Sequence, residues 1–266
     1  MSDTPNPTSA VVLFIILTTI YAPVKYYLNK PKSNETDNIE AKSNHLYLGI
    51  YILCLTIGEF VINLSLTNSM CGGTQWGTAL LVTLIPWIVI FGSINVLLIV
   101  FPGWLGPFSN TFGYMIAKFA GINTLINKIF KPKMEQTDAS AKDKDMINAL
   151  ANIYGNKSLL INQISVQDFN KFWTTMSPLF KSEVSNNSEL KMELFNMVRL
   201  KTIVSEYIWL ILTGIYVTSV SYNYIINSKC AVSERVMENK DKEYTEKQEE
   251  KQVNKEEEPR VYITGE

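Results

Sequence analysis

The sequence predicts an all-α, multispanning membrane protein, and three observations carry that prediction. First, the 47% of hydrophobic residues gather in four long blocks, while the charges lie between and after them. Blocks of this kind match a hydrocarbon core of about 30 Å, because a helix rises ~1.5 Å per residue. Second, charged and amide-rich segments separate the blocks, where a soluble chain would scatter apolar positions at helix or strand period. Third, tyrosine and tryptophan recur near block ends, where amphipathic rings favour the headgroup layer.

Residues 1–107 hold three predicted spans, at 10–28, 46–66 and 78–101. The first block, Ala10 to Leu28, lacks the basic leader and small-residue cleavage site of a secretory signal and is read as retained. Pro23 and Lys25 fall near its end, where proline is tolerated and lysine can reach the headgroups. A polar linker, Asn29 to Asn44, leads into the second block, Leu46 to Leu66, interrupted by Glu59 and Asn63. The loop Thr67 to Gly77 carries Cys71 and the Gly72-Gly73 turn. The third block, Thr78 to Phe101, contains no charge, and Pro86 predicts a kink within it. A fourth span is expected over 202–227, with Glu206 one turn inside its start.

Between the third and fourth spans, residues 108–133 read as a basic amphipathic helix lying in the membrane interface. Phe112, Met115, Ile116, Phe119, Ile122, Ile126 and Ile129 recur at three- and four-residue steps, with Lys118, Lys128 and Lys131 set mostly between them. A helix packed on the module that follows is the competing reading. That module, residues 134–201, is expected to hold three short helices. The first runs from Asp138 to Tyr154 and closes at Gly155. The second follows the capping-box pair Ser165 and Asp168, and the third starts at Ser188 and can continue into the fourth span. Residues 228–266 form a charged tail without an apolar face, for which disorder or a transient helix is expected.

Charge bounds both orientation and partners. Lysines follow the first block and none precedes it, which directs the linker and the module to the cytosolic side. A net charge of −1 offers nucleic acid no basic footprint. One histidine and three scattered cysteines make no metal cluster, so neither metal nor cofactor is expected. The predicted topology puts Cys71 and Cys230 on one side, as a possible disulfide or as two free thiols. Three glycosylation-type triplets, at Asn34, Asn156 and Asn186, fall on the predicted cytosolic side and are read as chance.

Two readings of Glu59 stay open. An acidic side chain in mid-span costs roughly 2.5–3.5 kcal/mol and must face protein or water. It is either a cation or proton site, with Asn63 and Asn95 as partners, or a polar clamp between helices. No phosphate loop, nucleophile elbow or paired-histidine motif accompanies it, so no enzyme is expected.

The segment Phe101 to Tyr114 packs two prolines and three glycines among five aromatics at a span's end. Pro102 and Gly103 stop the third helix, Trp104 and Phe108 can anchor at headgroup depth, and Pro107 stiffens the turn. Ser109 or Asn110 then starts the next helix. This elbow, with the preceding stretch Cys71 to Gly92, resembles a membrane-protein family of nucleocytoplasmic large DNA viruses. The resemblance covers Cys71 to Tyr114, under a fifth of the chain. It implies a structural protein in the virion inner membrane beneath an icosahedral capsid, present as a minor component. The implied partners are the bilayer and, through residues 108–201 and the tail, capsid or other virion proteins. The alternative is a small channel or transporter subunit that uses Glu59.

Overall fold

The computed structural model describes residues 8–29, 31–33, 39–40, 45–71, 73–132, 141–184, 187–228, 230, 238–239 and 241–248. Four helices are long and apolar enough to cross a bilayer: α1 (Thr8–Leu28), α2 (His45–Cys71), α3 (Trp76–Val100) and α9 (Ser188–Asn227). Their outward residues, among them Ile20, Leu53, Val61, Val89 and Leu212, are exposed, as a lipid-facing belt requires. The chain is an integral membrane protein. A two-residue ribbon, β1 (Lys32–Ser33) with β2 (Ile39–Glu40), lies in the linker after α1.

The spans pack as alternating antiparallel neighbours around an aromatic core of Phe14, Tyr21, Tyr51, Trp87 and Phe91, with Leu55, Leu210 and Val217. Tyr21 and Tyr51 stack at 4.4 Å, and the Tyr51 hydroxyl meets Thr18 Oγ1 at 2.7 Å. Pro86 does not simply kink α3: residues Ile85–Gly92 form a π-helical stretch between two α-helical halves. The Val82 carbonyl, which proline's missing N–H leaves without its helical donor, accepts from the Ser221 hydroxyl of α9 at 2.7 Å.

The expected single helix over 108–133 is instead two helices, and this corrects the interfacial reading. Helix α4 (Tyr114–Phe119) and helix α5 (Ile122–Ile129) are broken at Ala120 and Gly121, whose φ of 101° only glycine adopts freely. The left-handed turn re-aims the apolar stripe. Phe112, Met115, Ile116 and Phe119 stay exposed, whereas Ile122, Ile126 and Ile129 are buried in the module core. Packing on the module describes the second half, while the first half carries its apolar side chains exposed.

The module consists of α6 (Ala141–Gly155), α7 (Lys157–Gln163) and α8 (Phe169–Met176), closed against α5 and the start of α9. Phe169, Trp173, Phe180 and Phe195 form its centre, and an antiparallel bridge ties Phe130 to Phe180. Two details differ from expectation. Helix α7 was not anticipated, because Asn156 lets the chain restart at once; Gly155 closes α6 from within, without a left-handed φ. The cap of α9 is Asn187, whose side-chain oxygen accepts from the N–H groups of Glu189 and Leu190.

Helix α9 has 40 residues, which at ~1.5 Å each is about 60 Å, twice the hydrocarbon thickness. Its first third belongs to the module core through Leu194, Phe195 and Val198, and its remainder to the bundle through Leu210 and Val217. One rod therefore serves both cores. Of the tail, residues 241–248 are helical, with Lys242 and Glu238 paired at 3.5 Å; residues 249–266 lie outside the described residues, as do Asn34 and Asn186.

Candidate functional site at the membrane–module junction

The elbow begins where α3 runs out of N–H donors. The Phe101 N–H still reaches the Leu97 carbonyl at 2.7 Å, but Pro102 has no N–H to continue the ladder. Residues Pro102–Leu105 make a 3-10 turn, on which Phe101 and Trp104 stack at 5.6 Å with both rings half exposed. Such a stack suits headgroup depth. One turn on, the Thr111 hydroxyl donates to the carbonyl of Pro107 itself at 2.7 Å. Phe108 turns inward, edge-on to Trp209 at 5.8 Å. Residues Ser109–Gly113 form a π turn, and Tyr114 packs against the module core.

Between elbow, bundle and module lies a cavity of about 620 Å³. Pro102, Gly103, Ser109 and Asn110 of the elbow line it, together with Asn95 of α3. Lys25 and Glu206, each one turn inside an apolar block, meet at its edge with a 2.5 Å ion pair. About two turns back along α9 from Glu206, the Arg199 guanidinium lies 4.4 Å above the Tyr26 ring and donates to the Tyr26 carbonyl. The buried Lys201 ammonium donates to the carbonyls of Ile161 at 2.7 Å and Ile164 at 3.4 Å, closing the end of α7. Burial pushes that ammonium down to about 8.

The intramembrane polar residues are not one constellation. Glu59 is fully buried, and neither of its carboxylate oxygens has a hydrogen-bond partner. Asn63 is bonded elsewhere: its amide donates to Thr83 Oγ1 at 2.9 Å and Ser221 Oγ at 3.1 Å, joining α2, α3 and α9. Asn95 donates to the Phe91 carbonyl of its own helix at 2.8 Å. The hydrogen-bonded clamp in the bundle is Asn63. At the end of the bundle away from the module, Cys71 and Cys230 are joined as a disulfide, with Cα atoms 5.3 Å apart.

Sequence reasoning missed Lys25 with Glu206, Lys201 with the α7 carbonyls, and Asn63 with Thr83 and Ser221. The first pair did leave a signal, since a lone cation and a lone anion at matching depth in two spans can neutralise each other. The other partners leave none. No family profile, curated protein or solved structure matches the chain.

Proposed function

We propose that this chain is a structural membrane protein that fixes a protein shell to the bilayer it spans. On this reading it is a minor component of the virion inner membrane of a nucleocytoplasmic large DNA virus. The observation that carries the reading is α9, a single helix common to the cores of bundle and module. A load applied to the module is passed to the spans through a continuous rod, with no flexible linker between them. The likeness of Cys71 to Tyr114 to viral membrane proteins supplies the setting. The contact surface is residues 108–201, extended by the charged tail, and the role is non-enzymatic.

The test is particle disassembly. Virions stripped with non-ionic detergent are expected to keep this chain on the shell, with Lys171 of the module cross-linked to a shell protein. Release of the chain with the lipid, with cross-links only inside itself, would refute the anchor.

A second reading, a channel or transporter subunit, draws on the buried, unpartnered carboxylate of Glu59. Reconstituted liposomes distinguish the two. An ion flux abolished by Glu59→Gln in a correctly assembled chain supports the channel, and sealed liposomes support the anchor.

A further inference from the structure

The junction cavity offers both apolar and polar wall, the mixture an amphiphile requires. The spans contribute aliphatic Leu48, Leu98, Ile99 and Leu210, beside the polar Lys25, Asn95 and Glu206. Ile99 is also half exposed on the outer surface of α3, so the cavity's rim reaches the lipid-facing belt. The elbow and the turn that leads into α8 add polar Ser109, Asn110, Gln167 and Asp168 among apolar Leu105 and Ile164. The volume of about 620 Å³ falls within the ~300–1,000 Å³ range of small-molecule sites.

The charges on the wall narrow the choice of occupant. Lys25 and Lys201 are balanced by Glu206 and Asp168, so the lining has both signs and no excess of either. An anionic headgroup would find two carboxylates beside its two ammonium partners. A quaternary ammonium calls for an aromatic cage, and the lining holds one aromatic ring, Tyr21. A primary ammonium instead brings three N–H donors to a wall that is rich in acceptors. Two of those acceptors, the side-chain oxygens of Asn29 and Asn162, have no hydrogen-bond partner. A buried oxygen left so is destabilising, and a carboxamide turning toward a bound donor would relieve it.

We propose that the junction cavity is a lipid site selective for a phospholipid with a primary-ammonium headgroup, of the phosphatidylethanolamine class. The acyl chains leave past Ile99 into the bilayer, the phosphate lies beside the lysines, and the ammonium lies beside the carboxylates. The lipid fills the gap between bundle and module, and this inference stands whether or not the module binds a shell.

The experiment is native mass spectrometry on the full, disulfide-bonded chain in detergent. Phosphatidylethanolamine, phosphatidylcholine and phosphatidylglycerol with identical acyl chains are supplied in equal amounts. The expected result is one retained phosphatidylethanolamine per chain, favoured at least about tenfold over each competitor. Gly106 lines the cavity, and a Cβ built there meets nothing within 4 Å, so Gly106→Trp places a large side chain in open space. That variant is expected to lose the bound lipid. Gly103→Leu, equally unobstructed, replaces it if Gly106→Trp does not fold. Soluble O-phosphoethanolamine is expected not to displace the lipid. Equal retention of the three lipids, undiminished retention in the folded variant, or displacement by the soluble headgroup would each overturn the proposal.

Discussion

Gly113 of the elbow lies so close to Lys201 of α9 that a Cβ on it would sit 2.5 Å from the Lys201 carbonyl oxygen. The backbone there is ordinary helix, with φ −61°, so the glycine is required by proximity and not by conformation. Backbone-to-backbone approach leaves no flexible side chain to give way. Gly113→Val is therefore expected to lower stability by roughly 1–3 kcal/mol, the usual cost of overpacking. Thermal unfolding in micelles measures it, and an unchanged melting temperature would show that elbow and helix are not in contact.

Gly214 stands in the same relation to Phe14, whose ring occupies the space a Cβ would need. Here the obstacle is a side chain, so relief is available. Gly214→Ala alone is expected to destabilise the bundle, and Phe14→Leu added to it to restore part of the loss. A double-mutant cycle should give a coupling of about 0.5–3 kcal/mol. Strict additivity would separate the two helices.

Asn63 and Glu59 make opposite predictions from neighbouring turns of one span. Asn63→Ala breaks two interhelical hydrogen bonds and should cost ~0.6–1.7 kcal/mol. Glu59→Gln removes a carboxylate that has no partner, so it should be neutral or stabilising. Unfolding in mixed micelles ranks the pair. A larger loss at Glu59 would make it the clamp after all.

Lys201 gives a pH signature. Its ammonium titrates at about 8 when folded, against an ordinary value of 10.5, because burial disfavours the charge. Between those values the unfolded chain binds more protons than the native one, so stability from this group rises with pH. The penalty is fully present below about pH 8 and is relieved as pH climbs towards 10.5. Across pH 8 to 10 the wild type should gain roughly 2 kcal/mol relative to Lys201→Met. Parallel pH profiles for the two chains would mean that Lys201 is solvated.

The spans were legible because lipid imposes one severe rule on sequence, an unbroken apolar run with every backbone group bonded internally. Thr78 to Phe101 carries no charge, and the structure places α3 within a residue or two of it. The elbow was legible because Pro102 and Pro107 leave local marks. The redirected stripe was not, since Ile116 and Ile126 look alike until Gly121 turns the axis between them. Nor was the cavity, whose lining is drawn from residues as distant in sequence as Lys25, Asn110 and Lys201. Tertiary packing alone brings these residues together.

Bundle and module form one body, joined by α9 and the elbow. Double electron–electron resonance tests it most directly, with spin labels at Ser93→Cys on α3 and Lys171→Cys on α8. Both positions are exposed, and the free thiol of Cys54 is replaced by serine. One narrow distance distribution is predicted in bilayer nanodiscs, widened by Gly113→Val. A broad distribution in the wild-type background would contradict the account, because a module that swings freely cannot hold a membrane at a fixed distance from anything.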